Sequence, residues 1–155
     1  MKQKREPIIE QDIKKAEREK KKEYLRQYLR AKRAQDAMEQ EIAELRLEVY
    51  PSGLNQDGMP HGSGGRDLSD YVAELDELEQ KLKKQVEKKL RLRREITEKI
   101  DAMQNETESL LLRLRYIHGL RWMDVSSRLS YSREQTLRLH NNALENFKMT
   151  LNDTV

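Results

Sequence analysis

NETESLLLRLRYIHGLRWMDVSSRLSYSREQTLRLHNNALENF, Asn105 to Phe147, reads as three short helices separated by two tight turns. Asn105 is a good N-cap residue, and Glu106 and Glu108 put carboxylates in the first turn, where the helix dipole favours them. Leu110, Leu114 and Ile117 recur at helical spacing, which predicts that they form the buried face. His118-Gly119 ends this helix, because glycine takes the left-handed conformation at little cost. The second helix is expected over about Trp122 to Leu129, with Trp122, Val125 and Leu129 on one face. Ser130-Tyr131-Ser132 makes the next turn. Ser132 with Gln135 three residues on is the reciprocal pattern of a capping box. Thr136, Leu139, Ala143 and Phe147 then line the inner face of a third helix.

Arg133, Glu134, Gln135, Arg138, Asn141 and Asn142 are left pointing outward. Two short helices joined by a tight turn, the second rich in Arg, Gln and Asn, form the helix-turn-helix pattern. Arg can donate bidentately to guanine, and Gln or Asn can pair bidentately with adenine. The N-terminal residues of such a helix are the ones that reach base edges in the major groove. Arg133, Glu134, Gln135 and Arg138 are therefore the candidates for base readout, with Asn141, Asn142 and Lys148 placed to touch phosphates or nothing. The alternative is a plain three-helix cap on a coiled coil, its polar residues merely solvated.

The stretch resembles region four of the primary bacterial sigma factors and the phage-borne regulators that share that module. The likeness is carried by Leu112-Arg113-Leu114-Arg115-Tyr116, by Gly119 through Val125, by Leu129-Ser130-Tyr131-Ser132, and by the third helix through Ala143-Leu144. Three positions depart from the pattern. Ser126 replaces an Ala at the helix crossing, Ser130 replaces a turn Gly and so must hold positive φ, and Arg121 replaces a capping Ser or Thr. With its charged helical N-terminal part, the whole chain looks like phage late-transcription activators of the RinA and ArpU kind. The resemblance implies a sequence-specific DNA-binding regulator without catalytic activity or cofactor. It implies double-stranded DNA as partner, a homodimer, host RNA polymerase as a further contact, and a place in the cytoplasm of a bacterial host.

The 155 residues are 38% charged and 35% hydrophobic, which suits long solvated helices with narrow apolar seams rather than one large core. A net charge of +3 is a mild bias towards polyanions. There is no Cys, which excludes disulfides and thiol-metal sites. No apolar run approaches membrane-spanning length, and no apolar secretory segment opens the chain. Pro7 predicts that the first regular helix starts only after it. A heptad seam then runs through Tyr24, Tyr28, Ala31, Gln35, Met38, Ile42, Leu45 and Val49, widened by Leu25 and Leu29.

From Pro51 to Gly65 the composition changes, and every glycine except Gly119 lies there. The stretch 51–67 reads as a flexible connection, with Asp67 or Ser69 capping the next helix. That helix is expected over about Asp70 to Met103, with a seam of Tyr71, Leu75, Leu78 and Leu82. Beyond Leu82 two registers compete. One passes through Gln85, Lys89, Leu92 and Ile96, the other through Val86, Leu90, Ile96 and Ile100. The expected fold is all-α: a long antiparallel helical hairpin over 1–104, a helix-turn-helix domain over 105–148, and a loose tail over 149–155. The hairpin could pair within the chain or with a second copy.

The basic runs Lys14 to Arg33 and Lys81 to Arg94 suit phosphate or an acidic partner surface, or the solvated face of a coiled coil. No glycine-rich phosphate loop is present, and His61, His118 and His140 are too scattered for a metal site. His140 is expected to touch phosphate or pack beside Tyr131. No Ser or Thr has a plausible His base and acidic partner nearby, so catalysis has no basis. A second class of function remains open: a structural or adaptor coiled coil, or the DNA-recognising small subunit of a phage packaging terminase.

Overall fold

The computed structural model describes residues 6–49, 68–150 and 153, and all of its regular structure is helical. Helix α1 spans Glu6–Val49 and α2 Leu68–Asp101; α3 is Glu106–Leu112, α4 Trp122–Leu129 and α5 Arg133–Asn146. The fold is all-α, as expected. Pro7 lies inside the first turn of α1 rather than before the helix. A first-turn N–H has no intrahelical acceptor, so losing it there costs nothing. Helix α2 starts at Leu68, so Ser69 is inside the helix and is not its cap. The 51–67 connection, Asp67 and His61 lie outside the described residues.

Two compact units share the long helices. One comprises Ala31–Lys89, the other the chain up to Arg30 and from Leu90 onwards. The first is an antiparallel pairing of the second half of α1 with the first half of α2. Ala31, Ile42 and Leu45 are buried along it, and Arg46 pairs with Glu79 at 2.6 Å. Gln85 donates through Nε2 to the Ala31 carbonyl at 2.9 Å, a polar seam position satisfied by backbone. Tyr71, Leu75, Leu78 and Leu82 are only half-buried.

In the other unit the register of α2 resolves. Leu92 and Ile96 are buried and Leu90 is 49% exposed, so the path through Gln85 and Lys89 holds and the one through Leu90 does not. The seam then steps four residues to Ile100, also fully buried. Tyr24, Leu25, Ile96, Ile100, Leu144 and Phe147 are all sealed from solvent, and the Tyr24 and Phe147 rings lie 6.1 Å apart. The base of the long helices and the C-terminal helices thus share one core. Lys21 donates to the carbonyls of Leu144 (2.7 Å) and Glu145 (3.1 Å), satisfying the end of α5 with a cation where the dipole favours one. Of the expected loose tail, Asp153 accepts from Lys99 and from the Thr150 N–H, so those described residues are tied to the unit.

The first C-terminal helix departs from the expected phase. After Leu112 the backbone widens into a π turn over Arg113–Ile117, closed by His118 N–H to the Arg113 carbonyl. A π turn inserts one extra residue, so side chains five apart come into line. Leu111 and Tyr116, and Leu112 and Ile117, are five apart and all buried, while Leu110 is 44% exposed.

Among the described residues, two hold left-handed backbone: Gly119 (φ 70) and Ser130 (φ 56). Only the second carries a side chain to strain there. Ser130→Gly is expected to raise stability by about 0.5–1 kcal/mol, since the left-handed penalty removed exceeds the added chain entropy. Gly119→Ala is expected to lower it by about 1 kcal/mol or more, because the new Cβ would have to accept positive φ. Urea denaturation of the two variants should shift in opposite directions. A loss of stability in Ser130→Gly would show that the serine side chain contributes more than its strain.

Candidate nucleic-acid interface

The placement of α5 begins with its caps. Asn105 Oδ1 accepts from the N–H of Thr107 (3.0 Å) and Glu108 (3.1 Å), as expected for the start of α3. Ser132 Oγ accepts from Gln135 N–H at 3.1 Å, and Gln135 Oε1 accepts from Ser132 N–H at 2.9 Å. The capping box is complete, and it fixes the first turn of α5 against fraying. Helix α4 starts at Trp122, and Arg121 at its N-cap position provides no side-chain cap, as the unusual residue there suggests. Arg121 instead pairs with Asp124 at 3.2 Å.

The inner side of α5 is sealed. Thr136, His140, Ala143, Leu144 and Phe147 are buried, and Leu139 is half-buried. His140 is 4% exposed, and it neither faces phosphate nor packs beside Tyr131. Its Nε2 lies 2.9 Å from the Tyr116 hydroxyl, and the Trp122 ring meets it edge-on at 4.7 Å. Burial pushes the imidazole down to about 4, with the Lys22, Arg115 and Arg26 cations adding to the shift. Burial also pushes the Tyr116 phenol up to about 12. Both groups are therefore neutral near pH 7, and they share one hydrogen bond. Arg115 stacks over Trp122 at 4.7 Å and donates to the Leu120 carbonyl at 2.7 Å. One cluster thus joins the π turn, α4 and α5. Sequence reasoning missed it because a lone His on a helix carries no periodic signal.

The outer side of α5 is open. Arg133, Glu134, Gln135, Arg138, Asn141 and Asn142 are all exposed, and one helix face brings most of them together. Arg133, Leu137 and Asn141 follow one another at i,i+4, with Glu134 and Arg138 alongside. Leu137 is 39% exposed in their midst. Arg138 pairs with Glu134 at 2.5 Å, a solvated contact of little energetic weight that can be exchanged. Gln135 differs from the rest: its carbonyl oxygen already accepts from the Ser132 N–H in the cap, whereas bidentate pairing with adenine uses that oxygen together with the amide N–H groups.

Ser126 is buried at the crossing of α4, and its hydroxyl has no hydrogen-bond partner. Among the described residues no cluster of three His, Asp or Glu could hold a metal ion. No described helix is long and apolar enough to cross a membrane.

His140 makes stability depend on pH in a defined direction. Its folded pKa lies below its unfolded value of 6.5, so the unfolded chain binds the extra proton first. The contribution is complete above about pH 6.5 and is lost as pH falls towards 4, to a limit of roughly 3 kcal/mol. His140→Gln cannot titrate. The difference in urea stability between wild type and this variant should therefore shrink from pH 7 to pH 5. A constant difference would mean that the imidazole is not held neutral.

Residues 56–148, more than half of the chain, match the family described as Protein of unknown function (DUF1492). The chain belongs to that family. No curated protein and no solved structure matches it.

Proposed function

We propose that this member of the DUF1492 family is a sequence-specific DNA-binding regulator of transcription, of the phage late-gene kind that its sigma region four-like segment suggests, acting in the cytoplasm of a bacterial host. The observation that carries this reading is the two-sidedness of α5. Its inner face is closed by packing and a neutral hydrogen bond, and its outer face presents Arg133, Glu134, Arg138, Asn141 and Asn142 to solvent, with no helix of the described residues in its unit covering them. An exposed, capped helix of this polarity fits the major groove, where Arg reads guanine and Glu accepts from cytosine.

The role of Gln135 is best assigned to holding the first turn of the helix. Arg133 and Arg138 are the leading base readers. Recognition units of this type bind as dimers across two half-sites. The half-buried seam of Tyr71, Leu75, Leu78 and Leu82 supports pairing with a second copy, because a single hairpin leaves that apolar surface incompletely covered. The activity proposed is binding, not catalysis, and it calls for no cofactor.

Selection of duplexes from a random pool by the full-length chain tests the reading. A defined motif is expected to enrich. Arg133→Ala and Arg138→Ala should each weaken binding to it by roughly 1–3 kcal/mol and relax preference at one position, with helicity unchanged. Light scattering should give a dimer. Failure to enrich any motif removes the regulator reading, and a large ring would favour a packaging subunit.

A further inference from the structure

Within the basic run Lys81 to Arg94, the last two arginines line an open cleft. The end of α2 and the π turn bound a cleft of about 360 Å³, to which α2 contributes Leu90, Arg93, Arg94 and Thr97. Arg113, Ile117 and His118 close the other side. No carboxylate lines it among the described residues. Asp101 pairs with Arg113, but Arg93 and Arg94 form no ion pair among the described residues, although Glu98 is four residues beyond Arg94 on the same helix. The cleft therefore carries uncompensated positive charge.

Its walls are not purely polar. Leu90, half exposed, stands at its edge, and the buried Ile117 lines the opposite side. The Thr97 hydroxyl is shielded from solvent and has no hydrogen-bond partner within the protein. Guanidinium forks select carboxylate or phosphate. A duplex backbone offers phosphates alone and gains nothing from an apolar wall or from a concavity the size of one or two side chains. A polypeptide offers carboxylates and an apolar anchor together.

We propose that this cleft docks an acidic amphipathic segment of another protein, with its carboxylates on Arg93 and Arg94 and one apolar side chain between Leu90 and Ile117. The proposal is independent of DNA binding by α5, since none of its residues belongs to that helix. It also explains why Leu90, a leucine at helical spacing from the seam, is left uncovered.

A peptide display library panned against the immobilised full-length chain tests it. Enriched peptides are expected to combine Asp or Glu with an apolar residue. By fluorescence anisotropy they should bind Arg93→Glu/Arg94→Glu about tenfold or more weakly than wild type. Lys83→Glu/Lys84→Glu makes the same change in net charge on exposed residues outside the cleft and should leave affinity within about twofold. Leu90→Ser keeps the charge and should also weaken binding several-fold, roughly in line with loss of one apolar contact. Circular dichroism should show unchanged helicity for all three, because the altered side chains are exposed. Enrichment of neutral or basic peptides, no enrichment, or equal losses in both charge-reversed variants would overturn the proposal. So would a DNA duplex that displaces the peptide and is lost only in Arg93→Glu/Arg94→Glu, which would reassign the cleft to nucleic acid.

Discussion

Everything at the C-terminal end depends on the burial of Phe147 and Leu144 in the core that Tyr24, Leu25, Ile96 and Ile100 complete. Helices α3, α4 and α5 are short, and helices of their length are marginal in water without tertiary contacts. Their apolar residues alone make a thin core. The Tyr24–Phe147 contact and the Lys21 bonds to the last carbonyls of α5 fix the far end of that helix, just as the capping box fixes its near end. A helix held at both ends can leave its outer face unpacked. That freedom makes a polar recognition surface compatible with a stable fold.

The polar centre of the module sets its geometry in a different way. A hydrophobic core tolerates exchange of similar volumes, whereas the Tyr116–His140 bond has one satisfied arrangement. The buried imidazole is tolerable only when neutral, and burial itself makes it so. Trp122, packed edge-on against it, brings α4 to a fixed place beside α5. The cost of specifying that arrangement is small near neutral pH and grows on acidification. Ser126 is a second polar group in the crossing, and its unpartnered hydroxyl contributes nothing comparable.

Local chemistry was legible in the sequence; phase and long-range packing were not. The Asn105 and Ser132 caps, the strained Ser130 turn, the bounds of α4 and the seam of α1 from Tyr24 to Leu45 follow from residue types at fixed offsets, and each is found where expected, while the side chain of Val49 lies outside the described residues. Leu110 was misplaced because a π turn leaves no mark in composition, and three consecutive leucines offer a face in any phase. His140 was misplaced because its partner lies 24 residues away. Tyr24, Leu25 and Ile100 look like an ordinary widening of a coiled-coil seam; only the fold reveals that they meet Phe147 and Leu144 in one unit. Among the outward residues, Gln135 was readable both as a cap and as a base reader, and its hydrogen bond from Ser132 shows the capping part.

The same packing logic separates the charged residues into those with a role and those that are solvated. Glu10 with Lys14, Glu19 with Lys22, and Glu77 with Lys81 are exposed pairs at helical spacing that keep long helices soluble and add little stability. Arg93 and Arg94 lie on the same kind of helix and in the same basic run, yet they remain unpaired beside a concave wall. Composition treats the two sets alike. What distinguishes them is the wall opposite, where Arg113 and Ile117 of the π turn and the adjoining His118 line the other side of the cleft. The backbone irregularity that obscured the phase of α3 in the sequence thus also supplies part of one wall of this cleft.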